Sequence, residues 1–106
     1  MTDKAHILKD LKEHLVKNYG SSVKEVILFG SQARADSDEY SDFDVLIVLE
    51  NNYSGRDENR ILDLCYDIDL RYDIFQDVHV ISQRELNSIR GRQPVYMNAI
   101  QSGMHV

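Results

Sequence analysis

The segment Val26-Ile27-Leu28-Phe29-Gly30-Ser31-Gln32-Ala33-Arg34, followed by Asp42-Phe43-Asp44-Val45-Leu46-Ile47-Val48-Leu49, decides the fold of this chain. An apolar run closes on a Gly-Ser pair. Ten residues separate Ser31 from an Asp-x-Asp that opens a second apolar run. Short apolar runs bounded by turn residues read as buried strands. The second run is apolar on both faces beyond Asp44, which predicts a central strand covered on both sides.

Working outward, Ile7, Leu8, Leu11 and Leu15 recur at helical spacing and predict a helix over 3–18. Thr2 or Asp3 can cap its start, and Asn18-Tyr19-Gly20 stops it. Residues 24–29 and 42–50 form the first two strands. The connection over 30–41 has room for one helical turn at 31–35, and 51–55 is a loop. Ile61, Leu64, Cys65, Ile68 and Tyr72 mark a helix over 56–72, and 77–81 alternates as a third strand. Ser82 and Glu85 form a capping box that opens a helix to about Arg90. Gly91 breaks it, and Pro94 starts a last helix that ends at Gly103. The order α-β-β-α-β-α-α predicts an α/β (α+β) fold, a three- to four-stranded mixed sheet packed against helices. One domain spans residues 1–106.

Bulk properties exclude several classes. A chain of 106 residues buries roughly 65% of its unfolded surface, enough for one core. The net charge of -6 counts against a nucleic-acid binder with a broad basic face. The lone Cys65 permits no internal disulfide and reads as a small core residue. No apolar run approaches the roughly 18 residues of a membrane span, and Met1-Thr2-Asp3-Lys4 has no signal-peptide character. A cytoplasmic protein is expected.

Side chains two apart on a strand share a face, so Asp42 and Asp44 point the same way. Such carboxylates repel one another, and a hard divalent cation removes the conflict. A short connection makes the first two strands antiparallel. A helical crossover makes the second and third parallel. Gly30, Ser31, Asp42, Asp44 and Asp77 then converge at one end of the sheet. Gly30 permits close backbone approach, and the amides after it, with the Ser31 hydroxyl, can receive triphosphate oxygens. Arg34 can reach a phosphate with its fork, or pair with Asp36 or Asp38 on the surface. With two magnesium ions roughly 3.5–4 Å apart, one activates an acceptor hydroxyl and the other steadies pyrophosphate. Asp77 is the candidate general base. His79 shares its parity and either lines the pocket or packs. Val95, Tyr96, Met97 and Ile100 read as core or as partner interface.

Gly30-Ser31, ten residues, then Asp42-x-Asp44 resembles the signature of the DNA polymerase beta-like nucleotidyltransferase superfamily. Length, leading helix and the Ser31-Gln32-Ala33-Arg34 run make the chain most similar to its minimal nucleotidyltransferase branch (MNT). Asp77-Val78-His79-Val80-Ile81-Ser82 matches the third acidic strand, and Ala35 departs from a common glycine. The resemblance implies a nucleotidyltransferase fold and magnesium-dependent transfer of AMP from ATP to a hydroxyl. It implies a partner as well. Minimal members, the MntA-like antitoxins, are commonly encoded beside an HEPN-type ribonuclease toxin and attach AMP to a toxin tyrosine. Two alternatives stay open, a non-catalytic antitoxin acting by occlusion and transfer to a small molecule such as an antibiotic. Because 106 residues leave no room for a second, acceptor-binding domain, a partner or a second copy is expected to supply that site.

Overall fold

A computed structural model describes residues 4–30, 43–88 and 90–106. The leading helix α1 spans Lys4–Asn18 and is followed by strand β1, Val23–Phe29. Strand β2 is Phe43–Leu49, helix α2 is Gly55–Tyr72 and strand β3 is Gln76–Ser82. A short helix α3, Gln83–Leu86, precedes a 3-10 turn at Arg90–Arg92, then helix α4 at Pro94–Ser102 and strand β4 at Met104–His105. The four strands form one sheet in the order β3-β2-β1-β4.

The expected strand directions are present. β1 pairs antiparallel with β2, Phe29 facing Asp44. β2 pairs parallel with β3 in unbroken register from Phe43↔Gln76 to Leu49↔Ser82. Val45 through Val48 are fully buried, so β2 is the covered central strand that its unbroken apolar run predicts.

Alternation splits the apolar side chains between two cores. Val26, Leu28, Val45, Ile47 and Val80 pack on one face with Ile7, Leu8, Leu11 and Leu15 of α1 and Ile61, Leu64, Cys65 and Ile68 of α2. Ile27, Phe29, Leu46, Val48 and Ile81 face Tyr96 and Ala99 of α4 on the other. Cys65 is a core residue as expected; burial, then the nearby Asp69 carboxylate, pushes its thiol up to about 12, so it stays protonated.

Local chemistry sets the boundaries. Ser54 accepts from the Asp57 amide at 3.2 Å while Asp57 accepts from the Ser54 amide at 2.9 Å, a reciprocal cap on α2. Asp73 ends that helix in the left-handed region at φ 53°. The capping box at Ser82 and Glu85 forms as predicted. The helix that it opens stops at Leu86, not near Arg90. Gly91 lies in the 3-10 turn against the Leu86 carbonyl, where a Cβ would come within 1.8 Å of that oxygen. The predicted cap at Thr2 or Asp3 lies outside the described residues, as does the turn at 31–35.

The sequence reading missed β4. Two residues carry no periodicity, and the strand exists because β1 offers a free edge. Val106 completes the pairing, its amide donating to the Val26 carbonyl at 2.9 Å. His105 adds a second tie, with Nδ1 2.9 Å from Glu25 Oε1 and Nε2 3.0 Å from the Ile100 carbonyl. Only the imidazolium donates from both nitrogens. The hydrogen bond to Glu25, the largest influence, raises the His105 pKa above the ordinary histidine value, against an opposing effect of burial.

Two predictions follow from the packing. Ile47→Ala, at a position with no exposure, is expected to cost about 2–5 kcal/mol in urea unfolding. For His105, a raised folded pKa means stabilisation that is full below the unfolded pKa and lost as pH rises through the folded one. The stability gap between wild type and His105→Gln is therefore expected to shrink as pH rises from below the ordinary histidine pKa of about 6.5 through the raised folded-state value, measured by urea titration at each pH.

Candidate active site

Three of the predicted site residues fall within the described chain, and the fold brings them together. Gly30 ends β1 at φ +73°, the left-handed region where glycine is favoured. Asp44 lies beside it. A Cβ built on Gly30 would stand 2.3 Å from Asp44 Oδ2 and 3.2 Å from its carboxyl carbon. The glycine is therefore required twice, by its backbone angle and by the carboxylate over it. Asp77 is the register partner of Asp44 on the neighbouring parallel strand. Such strands lie about 4.8 Å apart, and paired residues project to the same face. Ser31, Arg34 and Asp42 lie outside the described residues.

The floor beside the two carboxylates is aromatic. His79, two residues after Asp77, holds its Nε2 3.7 Å from Asp77 Oδ2. Its ring centroid is 5.9 Å from that of Phe29 and 6.5 Å from that of Tyr96. The two readings of His79 are both realised, since it packs between buried rings while its nitrogen reaches the site. Tyr96, a buried residue of α4, closes this floor. Its hydroxyl accepts from Arg90 Nη2 at 3.2 Å and Nε at 3.3 Å. Arg90 also donates to Glu85. The cation is thus tied to the back of the ring that supports His79. No sequence signal marks Arg90, because its role depends on α4 folding back over the sheet.

A hard divalent cation suits this donor set. Asp44 and Asp77 stand in register on adjacent strands, where their carboxylates could hold such a cation, and Asp77 is exposed. Among the described residues no three His, Cys, Asp or Glu side chains gather into a metal site. Asp42, the third carboxylate of the sequence reading, stands two residues before Asp44 in the chain. Among the described residues no helix is long and apolar enough to cross a membrane.

The fold points to the nucleotidyltransferases. Residues 8–96 match the model of the Nucleotidyltransferase domain, and the chain belongs to that family of enzymes. Two candidate protein adenylyltransferases of Methanocaldococcus jannaschii are similar to it. MJ0141 is 37% identical over 68 residues, covering 64% of this chain and 69% of its own length. MJ0604 is 29% identical over 96 residues, covering 91% and 90%. Among solved structures, a chain of a mutant MntA–HpeT toxin–antitoxin complex superposes with a TM-score of 0.60 at 13% identity, over 92% of this chain and 69% of that one. A chain from the tri-AMPylated HEPN toxin of Shewanella oneidensis with its MNT antitoxin gives 0.58 at 14%, over 97% and 71%. At such identities these two structures speak for the fold.

Gly30→Ala tests the elbow. The added methyl is expected to displace the Asp44 carboxylate and to cost about 1–3 kcal/mol of backbone strain. Nucleotidyl transfer is expected to fall about a hundredfold, more than the loss of folded protein explains, when rate and urea midpoint are measured on the same preparation.

Proposed function

We propose that this protein transfers AMP from ATP to a tyrosine hydroxyl of an HEPN-type toxin, with magnesium as cofactor, and acts thereby as an antitoxin. The observation that carries the reading is Asp44 in register with Asp77 beside the Gly30 elbow. The names of the Methanocaldococcus relatives support protein adenylylation, and the complexes formed by the structural neighbours support an HEPN-type acceptor.

In this mechanism Asp42, Asp44 and Asp77 would hold two magnesium ions, and Gly30 with Ser31 would hold the triphosphate. Arg34 would add a forked cation to the phosphates. When bound, magnesium neutralises triphosphate charge and lowers the pKa of the acceptor hydroxyl. Asp77, exposed at the end of the sheet, takes the hydroxyl proton. The freed oxygen attacks the α-phosphorus of ATP. A phosphorus–oxygen bond to the tyrosine forms as the bond to the β-phosphate bridging oxygen breaks, and pyrophosphate leaves. His79, held between Phe29 and Tyr96, stands with Nε2 3.7 Å from Asp77 Oδ2.

The test is transfer of label from α-32P-ATP to a co-purified HEPN-type toxin. Asp44→Asn is expected to reduce labelling to background while circular dichroism and thermal melting stay as in the wild type. Undiminished labelling by that variant removes the mechanism.

A further inference from the structure

The outward face of α2 carries apolar side chains that neither core uses. Leu62, Tyr66 and Leu70 are exposed, Leu70 at 66%. Their spacing of four residues sets them in one stripe along the helix. The core side of α2, with Ile61, Leu64, Cys65 and Ile68, faces the other way. Beyond the helix, Phe75 is also 66% exposed and stands two residues before Asp77. Its carbonyl accepts from the Phe43 amide at 2.8 Å, so Phe75 lies at the end of the sheet that carries the carboxylates. The apolar strip therefore runs down α2, on the face of the sheet opposite Asp44 and Asp77, and Phe75 follows it at the strand starts where those carboxylates lie.

The rim of the strip is acidic. Asp63 precedes Tyr66 by three residues and Asp73 follows Leu70 by three, both exposed, while Asp69 turns inward to Gln76. Arg71 turns away and pairs with Asp10 of α1 at 3.8 Å. Exposed apolar side chains within a polar rim mark docking surfaces. A second copy would set acid against acid in a chain whose net charge is already -6. The complementary occupant is an apolar segment flanked by Lys or Arg.

We infer that the strip of Leu62, Tyr66, Leu70 and Phe75 docks a basic, amphipathic segment of the protein that brings the acceptor hydroxyl. The inference rests on the reading that the acceptor is a protein. Contacts on this strip hold the acceptor beside Asp77 without taking part in the chemistry, which is how remote binding lowers a barrier set by orientation.

The experiment uses the variant Tyr66→Ser, Leu70→Ser, Phe75→Ser, whose three positions are exposed and leave the core intact. The probe is a synthetic helical peptide of leucine and lysine, read by fluorescence anisotropy, with a leucine–glutamate peptide as its charge-reversed control. The wild type is expected to bind the lysine peptide, to ignore the glutamate peptide, and to bind at least about tenfold tighter than the variant. Equal binding by both proteins, or none by the wild type, overturns the inference. So does sedimentation showing a wild-type dimer that the variant dissolves. On the acceptor protein that the wild type labels, the variant is expected to raise the KM for acceptor about tenfold and leave the KM for ATP unchanged. If Asp44→Asn loses labelling while the serine variant labels at the wild-type KM, the docking inference falls and the functional reading stands. If the wild type labels no protein yet the serine variant loses the lysine peptide, the functional reading falls and the strip remains a docking surface.

Discussion

The parallel pairing of β2 with β3 places everything that matters here. Seven register pairs hold the strands together, and the second is Asp44 with Asp77. A slip of one residue would turn Asp77 and His79 to the opposite face and bury charge in the larger core. The register is protected from the side by Gln76. This buried amide donates from Nε2 to the Cys65 carbonyl at 2.9 Å and to Asp69 Oδ1 at 2.8 Å. It locks the start of β3 to the last turns of α2, one residue before Asp77. Burial raises the pKa of Asp69 while the bonds from Gln76 oppose the rise. The tie therefore sits in a partly water-excluded place, where breaking it leaves polar groups unpaired.

The two faces of the sheet are covered unequally, and the site uses the difference. α1 and α2 together seal one face. On the other, α4 brings Tyr96 and Ala99 over Leu46, Val48 and Ile81. The row nearest the strand starts, Asp44 and Asp77, lies at the margin of that cover, and Asp77 is exposed. A helix laid across this row would have to bury two carboxylates, which is costly. In the proposed function this margin is where a substrate bearing phosphates and metal ions would bind.

Gly30 shows how closely stability and function are coupled at such a place. Its positive φ carries the chain away from β1, and the space where its side chain would be holds the Asp44 carboxylate. A residue with a Cβ would meet both constraints at once. The two carboxylates lie close on neighbouring strands, and a bound cation would offset their mutual repulsion. Ligand binding is thus expected to stabilise the fold as well as to assemble the site.

Much was legible in the chain because it is local. Periodicity marked α1 and α2, the unbroken run from Val45 to Leu49 marked a central strand, and turn and cap residues marked their ends. The family followed from Gly30-Ser31 and Asp42-x-Asp44, whose spacing reflects one antiparallel turn. Other features were not legible. β4 has two residues and forms only because β1 has an edge to fill. Arg90 was expected within a helix, yet α3 ends at Leu86 and the guanidinium serves Tyr96 instead. Sequence alone settled which residues alternate, which segments coil and which glycine must turn, since these depend on neighbours along the chain. The crossover rule already places Asp77 near Asp44; tertiary structure alone decided that His79 is wedged between Phe29 and Tyr96 and that α2 turns an apolar strip outward. Each of these depends on packing between segments far apart in the chain, where no spacing rule reaches.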